Sequence, residues 1–159
     1  MGSEDDGALP TDYSLEATYF RTALLLGMVR GVAVHHWAGE VIERDADPPS
    51  AFFEIVSVAA TDLSALRHAL WPLVVEPEPR SVVERLFARL HADLGSGERS
   101  STETVQILRQ MRSMVRMPRD LYDAMNAALA AHATRSDQGV LPRWLQDFAP
   151  NDGSPESTT

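Results

Sequence analysis

Five histidines and a row of spaced arginines are the side chains through which this chain could do chemistry. His35 and His36 are adjacent, so on a helix they point about a right angle apart and cannot chelate one metal ion together. His36 and Glu40 stand one helical turn apart and would make half a site. The H-E-x-x-H pattern of a zinc helix and the E-x-x-H pattern of a di-iron bundle are both missing, however. A solvated helix face is the expected place for the pair, and no metal or other cofactor is expected. His132 falls on an apolar face near a helix C-terminus, where an imidazolium interacts well with the dipole. The expectation there is a hydrogen-bonded boundary histidine rather than a general base. His68 and His91 read as polar-edge residues.

Nucleophilic and phosphate-binding signatures are equally thin. No G-x-S-x-G elbow, G-x-G-x-x-G or G-x-x-x-x-G-K-[ST] occurs, and Gly95-Ser96-Gly97 lacks both a following Lys and a preceding strand. No catalytic or cofactor-binding residue is therefore assigned, and the chain is expected not to be an enzyme. The most informative polar feature is Arg109, Arg112 and Arg116, spaced three and four apart beside an apolar helix face, with Arg119 just beyond. Three such charges repel unless acids answer them. Internal carboxylates from a neighbouring helix or from the acidic tails are the bland solution; a docking strip for an acidic partner or a phosphate is the functional one. A second feature is the apolar island VLPRWLQDF, residues 140–148. It either folds back over a groove of the bundle, the reading favoured here, or lays Leu141, Trp144, Leu145 and Phe148 into a partner. The candidate partner-binding residues are thus Arg109, Arg112, Arg116, Trp144 and Phe148.

These residues must be positioned by a small body. The chain has 159 residues, enough for one domain and few for two, and it contains no cysteine, so disulfides and thiolate sites are excluded. Its formal net charge of −9 is concentrated at the ends. Residues 1–12 hold four acids and no base, residues 136–159 hold four acids against one arginine, and the body between is close to neutral. Such tails repel nucleic acid, which is not an expected partner. All 14 basic residues are arginine, a bias expected of a GC-rich bacterial genome. No apolar run approaches the ~20 residues of a membrane span, and the acidic start is not a secretory signal. A cytoplasmic protein with no membrane association is expected.

Helical periodicity runs through the body. Tyr19 to Arg44 reads as two helices joined at Gly27, the first apolar on nearly every side, with Leu15, Tyr19, Thr22, Ala23 and Leu26 on one face. Gly27 sits where a left-handed C′ residue belongs. The second helix buries Val34, Trp37, Ala38 and Val41, and leaves His36, Glu40 and Glu43 in water. Residues 51–60 balance helical spacing against strand propensity, and the preceding prolines favour a short helix. Thr61 or Asp62 caps a fourth helix with Leu63, Leu66 and Leu70 inward, which Pro72 ends or kinks. Glu76-Pro77-Glu78-Pro79 reads as a stiff extended linker between two sets of helices. Ser81 with Glu84, and Ser100 with Glu103, have capping-box spacing. The helix after Ser100 should bury Ile107, Leu108, Met111, Met114 and Val115. Pro118 reads as the first residue of a seventh helix with Leu121, Met125, Ala128, Leu129 and His132 inward.

The run from Arg21 to Ile42, with L-L-L-G-M-V and then V-H-H-W-A-G-E-V-I, resembles an uncharacterised family of small bacterial helical proteins. The resemblance spans roughly residues 19–75 and includes the Asp-Pro-Pro and short apolar helix downstream. It implies a Leu-rich helix, a Gly and a Trp-Ala helix in a hairpin, and a partner-binding role like that of immunity proteins of toxin loci. It offers no catalytic residues. Arg30-Gly31 stands where the family places a Ser or Asp cap, so the second helix is weakly capped.

The expected architecture is all-α: an irregular bundle of six or seven short helices built on an N-terminal antiparallel hairpin. A disordered acidic leader covers residues 1–12, one helical domain residues 13–135, and an acidic tail with a docking segment, 140–148, residues 136–159. The expected function is a non-enzymatic protein–protein interaction or regulatory module, immunity-like in character, for an unknown protein partner, with homo-oligomerisation left open. The rival is a small helical enzyme or ligand binder with a pocket between the two helical halves, near residues 72–79.

Overall fold

An α-helix that is apolar all round has to be covered on more than one side, and the first helix of this chain is. In the computed structural model, which describes residues 12–135 and 139–149, Ser14–Leu25 forms α1. Ala17 and Leu24 face one hydrophobic cluster, while Tyr19 and Ala23 face another. At about 100° per residue, Tyr19 lies roughly 200° round the helix from Ala17, so the two clusters sit on opposite sides of α1. Phe20 packs against both. Leu15 departs from the expected inward face and is half exposed, because it projects at the first turn where the body has not yet closed over the helix.

The chain leaves α1 through a Schellman turn. Gly27 adopts φ +71°, its N–H donates to the Leu24 carbonyl at 3.1 Å, and the Met28 N–H donates to the Ala23 carbonyl at 2.8 Å. That pattern satisfies two otherwise orphaned carbonyls and tucks Met28 into the second cluster. Then α2 follows over Gly31–Arg44, burying Val34, Ala38 and Val41. It lies chiefly against α3, Ser50–Ser57, whereas α1 packs mainly on α4, Leu63–Leu70, and on α5, Arg80–Ser96. The N-terminal pair is therefore looser than a hairpin packed along its length. Side chains bridge it instead: the Phe20 and Trp37 rings lie 5.0 Å apart, and Trp37 meets Phe52 of α3 at 5.1 Å. Gly31 permits the close approach behind this arrangement, since a Cβ there would run into the Ala60 carbonyl and stand 2.7 Å from Leu66 Cδ1.

Residues 50–57 are helical, as the prolines ahead of them suggested, with Ala51, Phe52 and Ile55 buried and Val56 exposed. Asp62 caps α4 by accepting the Ala65 N–H at 3.0 Å. Leu63 is exposed rather than inward, because the first residue of a short helix points past its neighbours. Pro72 ends α4 at Leu70, and Trp71–Leu73 continue as one 3-10 turn. The linker after it bends around residues 76 and 77, where the Glu76–Pro77 peptide is cis, rather than running straight. It is pinned to α1 by the buried Thr18 hydroxyl, which donates to the Ser14 carbonyl at 2.6 Å and accepts the Val75 N–H at 2.9 Å.

The second cluster gathers α5, α6 (Ser101–Met114), α7 (Arg119–Arg135) and α8 (Val140–Gln146). The capping box at Ser100 and Glu103 is complete, with reciprocal bonds of 3.1 and 2.9 Å. The one expected at Ser81 and Glu84 does not form: the N-cap is Pro79, two residues ahead of Ser81, so Ser81 already lies inside α5, and Glu84 accepts from the Arg80 side chain instead. Arg80 also holds Asp120 through bonds of 3.0 and 2.7 Å, joining the starts of α5 and α7. This pairing holds the Asp120 carboxyl below its ordinary range. Pro118 stands just before α7, its carbonyl accepting the Tyr122 N–H at 3.0 Å.

Replacing Gly31 with Ala tests the close approach of α2 to the α3–α4 loop. Because the obstacle is backbone that a rotamer change cannot relieve, Gly31→Ala is expected to cost about 3 kcal/mol of unfolding free energy, read from urea denaturation.

Candidate functional site

The arginine row divides at the end of α6. Arg109 and Arg112 lie on the helix and are exposed, and they line an open groove with Tyr122, Asn126, Leu129, Ala130 and Ala133 of α7. Arg116 is not on their stripe. The helix stops at Met114, Val115 is extended, and Arg116 belongs to a separate groove with Met114, Glu76, Pro77 and Glu78. Spacing of three and four places side chains on one face only while the helix lasts, and the approach to Pro118 favours extended backbone. None of the three arginines has a carboxylate within ion-pair distance among the described residues. Acids on neighbouring helices therefore do not answer them, while most of the acidic leader and tail lies outside the described residues. Arg119, beyond the row, reaches Asp123 at 3.7 Å on an exposed surface. Met114, expected inside, is about half exposed at 48%; it is the last residue of α6.

Trp144 and Phe148 stand elsewhere. The island is helix α8, which folds back so that Leu141 and Leu145 are fully buried. The Trp144 ring meets Phe87 at 5.0 Å, and Phe148 meets Phe87 at 4.9 Å. Both rings are partly buried against the cluster and are not brought together with Arg109 and Arg112.

The histidines do not converge. His36 is exposed and lies 3.7 Å from Glu40, which also meets Arg44 at 3.5 Å. No cluster of three or more His, Asp or Glu that could hold a metal occurs among the described residues. Among the described residues, buried nitrogens of His35 and His132 have no hydrogen-bond partner, so the hydrogen bond expected of His132 is not found there at Nδ1.

A feature that periodicity did not reveal is a cleft of about 780 Å³ between the two helical halves. It does not lie near residues 72–79. The α1–α2 turn, the first turns of α2, the middle of α5 and the Glu98–Arg99 loop form its walls. Arg30, Arg85, Arg89 and Arg99 line it together with Tyr19, Phe20, His36, Asp93 and Glu98. Asp93 is buried near the C-terminus of α5, where a carboxylate opposes the helix dipole. Arg89 Nε at 2.9 Å and Arg99 at 3.5 Å offset it. Arg85 pairs with Glu16 at 2.8 Å and stacks its guanidinium 4.0 Å from the Tyr19 ring centroid. Burial raises the Tyr19 hydroxyl above its ordinary 10.0, with Arg89 and Arg85 pulling the other way. In the sequence only the four-residue spacing of Arg85, Arg89 and Asp93 hinted at this grouping, since Arg30 and Arg99 come from distant turns.

No family model matches the chain, and no curated protein or solved structure is significantly similar to it. Geometry alone carries the functional reading.

Truncating Trp144 to Ala removes a ring that covers Phe87. The expected loss is about 2 kcal/mol of stability, below a fully buried aromatic because Trp144 is only partly covered, and chemical denaturation reads it. Tyr19 carries a pH prediction. Its unfolded form ionises first, so stability present below pH 10 should fall as pH rises through the folded-state value; Tyr19→Phe should flatten that alkaline limb in urea midpoints taken at stepped pH.

Proposed function

We propose that this chain is a non-enzymatic interaction module that masks an acidic protein partner through the surface of α6 and α7. The supporting observation is the groove edge where Arg109 and Arg112 stand exposed and without a carboxylate partner among the described residues, beside the exposed ring of Tyr122. Arg21, Arg44, Arg80, Arg85, Arg89, Arg99 and Arg119 all have acids within the fold, so Arg109 and Arg112 belong to the smaller set, with Arg30, Arg67 and Arg116, that has none among the described residues. An arginine fork and an aromatic ring on one surface are what acidic segments recognise, the fork giving bidentate geometry and the ring apolar area. Arg116 and the exposed Met114 lie in the separate groove past the end of α6, beside Glu76 and Glu78, and are not part of this surface. The role resembles that of an immunity-like protein: it acts by occupying a partner's surface, sterically and by charge.

The test is a comparative pull-down from cells that express the protein, using the wild-type chain, an Arg109→Glu/Arg112→Glu double variant, and Arg44→Glu as a control. Arg44 is also exposed but belongs to the pair with Glu40. The expected result is a set of proteins recovered with the wild type and with Arg44→Glu, lost with the double variant, and weakened by added salt. All three chains should unfold at closely similar temperatures. An unchanged set in the double variant would overturn the proposal.

A further inference from the structure

We infer that the cleft between the α1–α2 turn and α5 is a binding site for a small phosphorylated molecule. It lies on a different part of the protein from the α6–α7 surface and does not depend on that reading. Four guanidinium groups, from Arg30, Arg85, Arg89 and Arg99, line one concave space, against the carboxylates of Asp93 and Glu98. In a chain of net charge −9 this is a local reversal of sign.

The groups are held but not used up. Asp93 offers one oxygen to Arg89 Nε and the other to an Arg99 terminal nitrogen, so a single negative charge serves two cations. Each guanidinium keeps further N–H donors in a fixed plane. Arg99 Nε is buried and has no acceptor among the described residues, and the side chain as a whole is only 18% exposed. Arg30 has no acid within ion-pair distance among the described residues and stands at the start of α2. That helix begins with no side-chain cap and no acid in its first turn, so its positive end adds to the field at the rim.

An oriented set of guanidiniums open to the cleft, in which only Arg85 has a carboxylate, Glu16, to itself, calls for a multiply charged oxyanion. Phosphate oxygens suit the arginine fork and carry more charge than one carboxylate. Tyr19, Phe20, Met28 and Val29 also line the cleft and would take the organic part of a phosphate ester. The volume falls in the range of ordinary small-molecule sites. Asp93 is then a positioning residue: it orients Arg89 and Arg99 toward the cleft and leaves their outer N–H groups to the ligand.

Isothermal titration of the full chain with inorganic pyrophosphate, phenyl phosphate and citrate tests this, with Arg30→Glu and Arg30→Lys alongside. Arg30 is chosen because it has no ion pair to lose among the described residues, and thermal unfolding checks that both variants stay folded. Pyrophosphate and phenyl phosphate should bind, Arg30→Glu should weaken both by about tenfold or more, and Arg30→Lys should recover part of the loss. Arginine side-chain NMR signals should shift at Arg89 and Arg99 on titration. The Arg109→Glu/Arg112→Glu variant should bind as the wild type does, which separates this site from the acidic-partner surface. Absence of heat and of shifts with both phosphates would overturn the inference. So would citrate binding as tightly as pyrophosphate, which would mark a polycarboxylate site, or equal weakening by the α6 double variant, which would mark diffuse charge attraction.

Discussion

Two hydrophobic clusters share one helix, and the rest of the architecture follows from that constraint. Ala17 and Leu24 on one side of α1, and Tyr19 and Ala23 on the other, leave little of the helix circumference for water. Its two charged residues are placed at the margins and are both answered from beyond α1. Glu16 meets Arg85 of α5, and Arg21 meets Glu76 of the linker while lying 4.6 Å from the Trp71 ring. Removing α1 would expose both clusters at once, so neither set of helices can be thought of as closed without it. The left-handed Gly27 is the necessary exit from such a helix, because it lets the chain reverse while Met28 enters one cluster and Gly31 starts the helix that serves the other.

Where the two sets of helices meet, their seam is sealed at one end and open at the other. The linker side is tied by Thr18 to Val75 and by Arg21 to Glu76. The opposite side, between the α1–α2 turn and the later part of α5, is left as a cleft. Its charges are partly internal pairs, and exposed ion pairs contribute little to stability. Geometry matters more than energy here: Asp93 costs something to bury at a helix C-terminus, and its two arginines orient one another through it.

Much of the helical body was legible from periodicity and capping chemistry. Ser100 and Glu103 form the reciprocal box their spacing implied, Pro72 stops α4, and the island at 140–148 folds back as a short helix. The misplacements have a common cause. Leu15, Leu63 and Met114 all fit an apolar stripe, yet each lies in a terminal turn, where the neighbour that would cover it has already diverged. Arg116 left its stripe because α6 itself ends at Met114. Periodicity describes directions around an axis and says nothing of where a neighbour ends.

By itself, then, the sequence determined the elements: all-helical segments, the Gly27 exit, the caps, and a first helix that had to be central because it has no polar face. These are local properties, set within one or two turns by side-chain spacing and backbone preference. Only the tertiary structure decided that α2 would lie on α3 rather than along α1, and that Trp144 and Phe148 would close over Phe87. It also brought Arg30, Arg85, Arg89 and Arg99 to one cleft across about seventy residues of chain. Such groupings depend on which faces find each other in three dimensions, and no spacing along the chain encodes them.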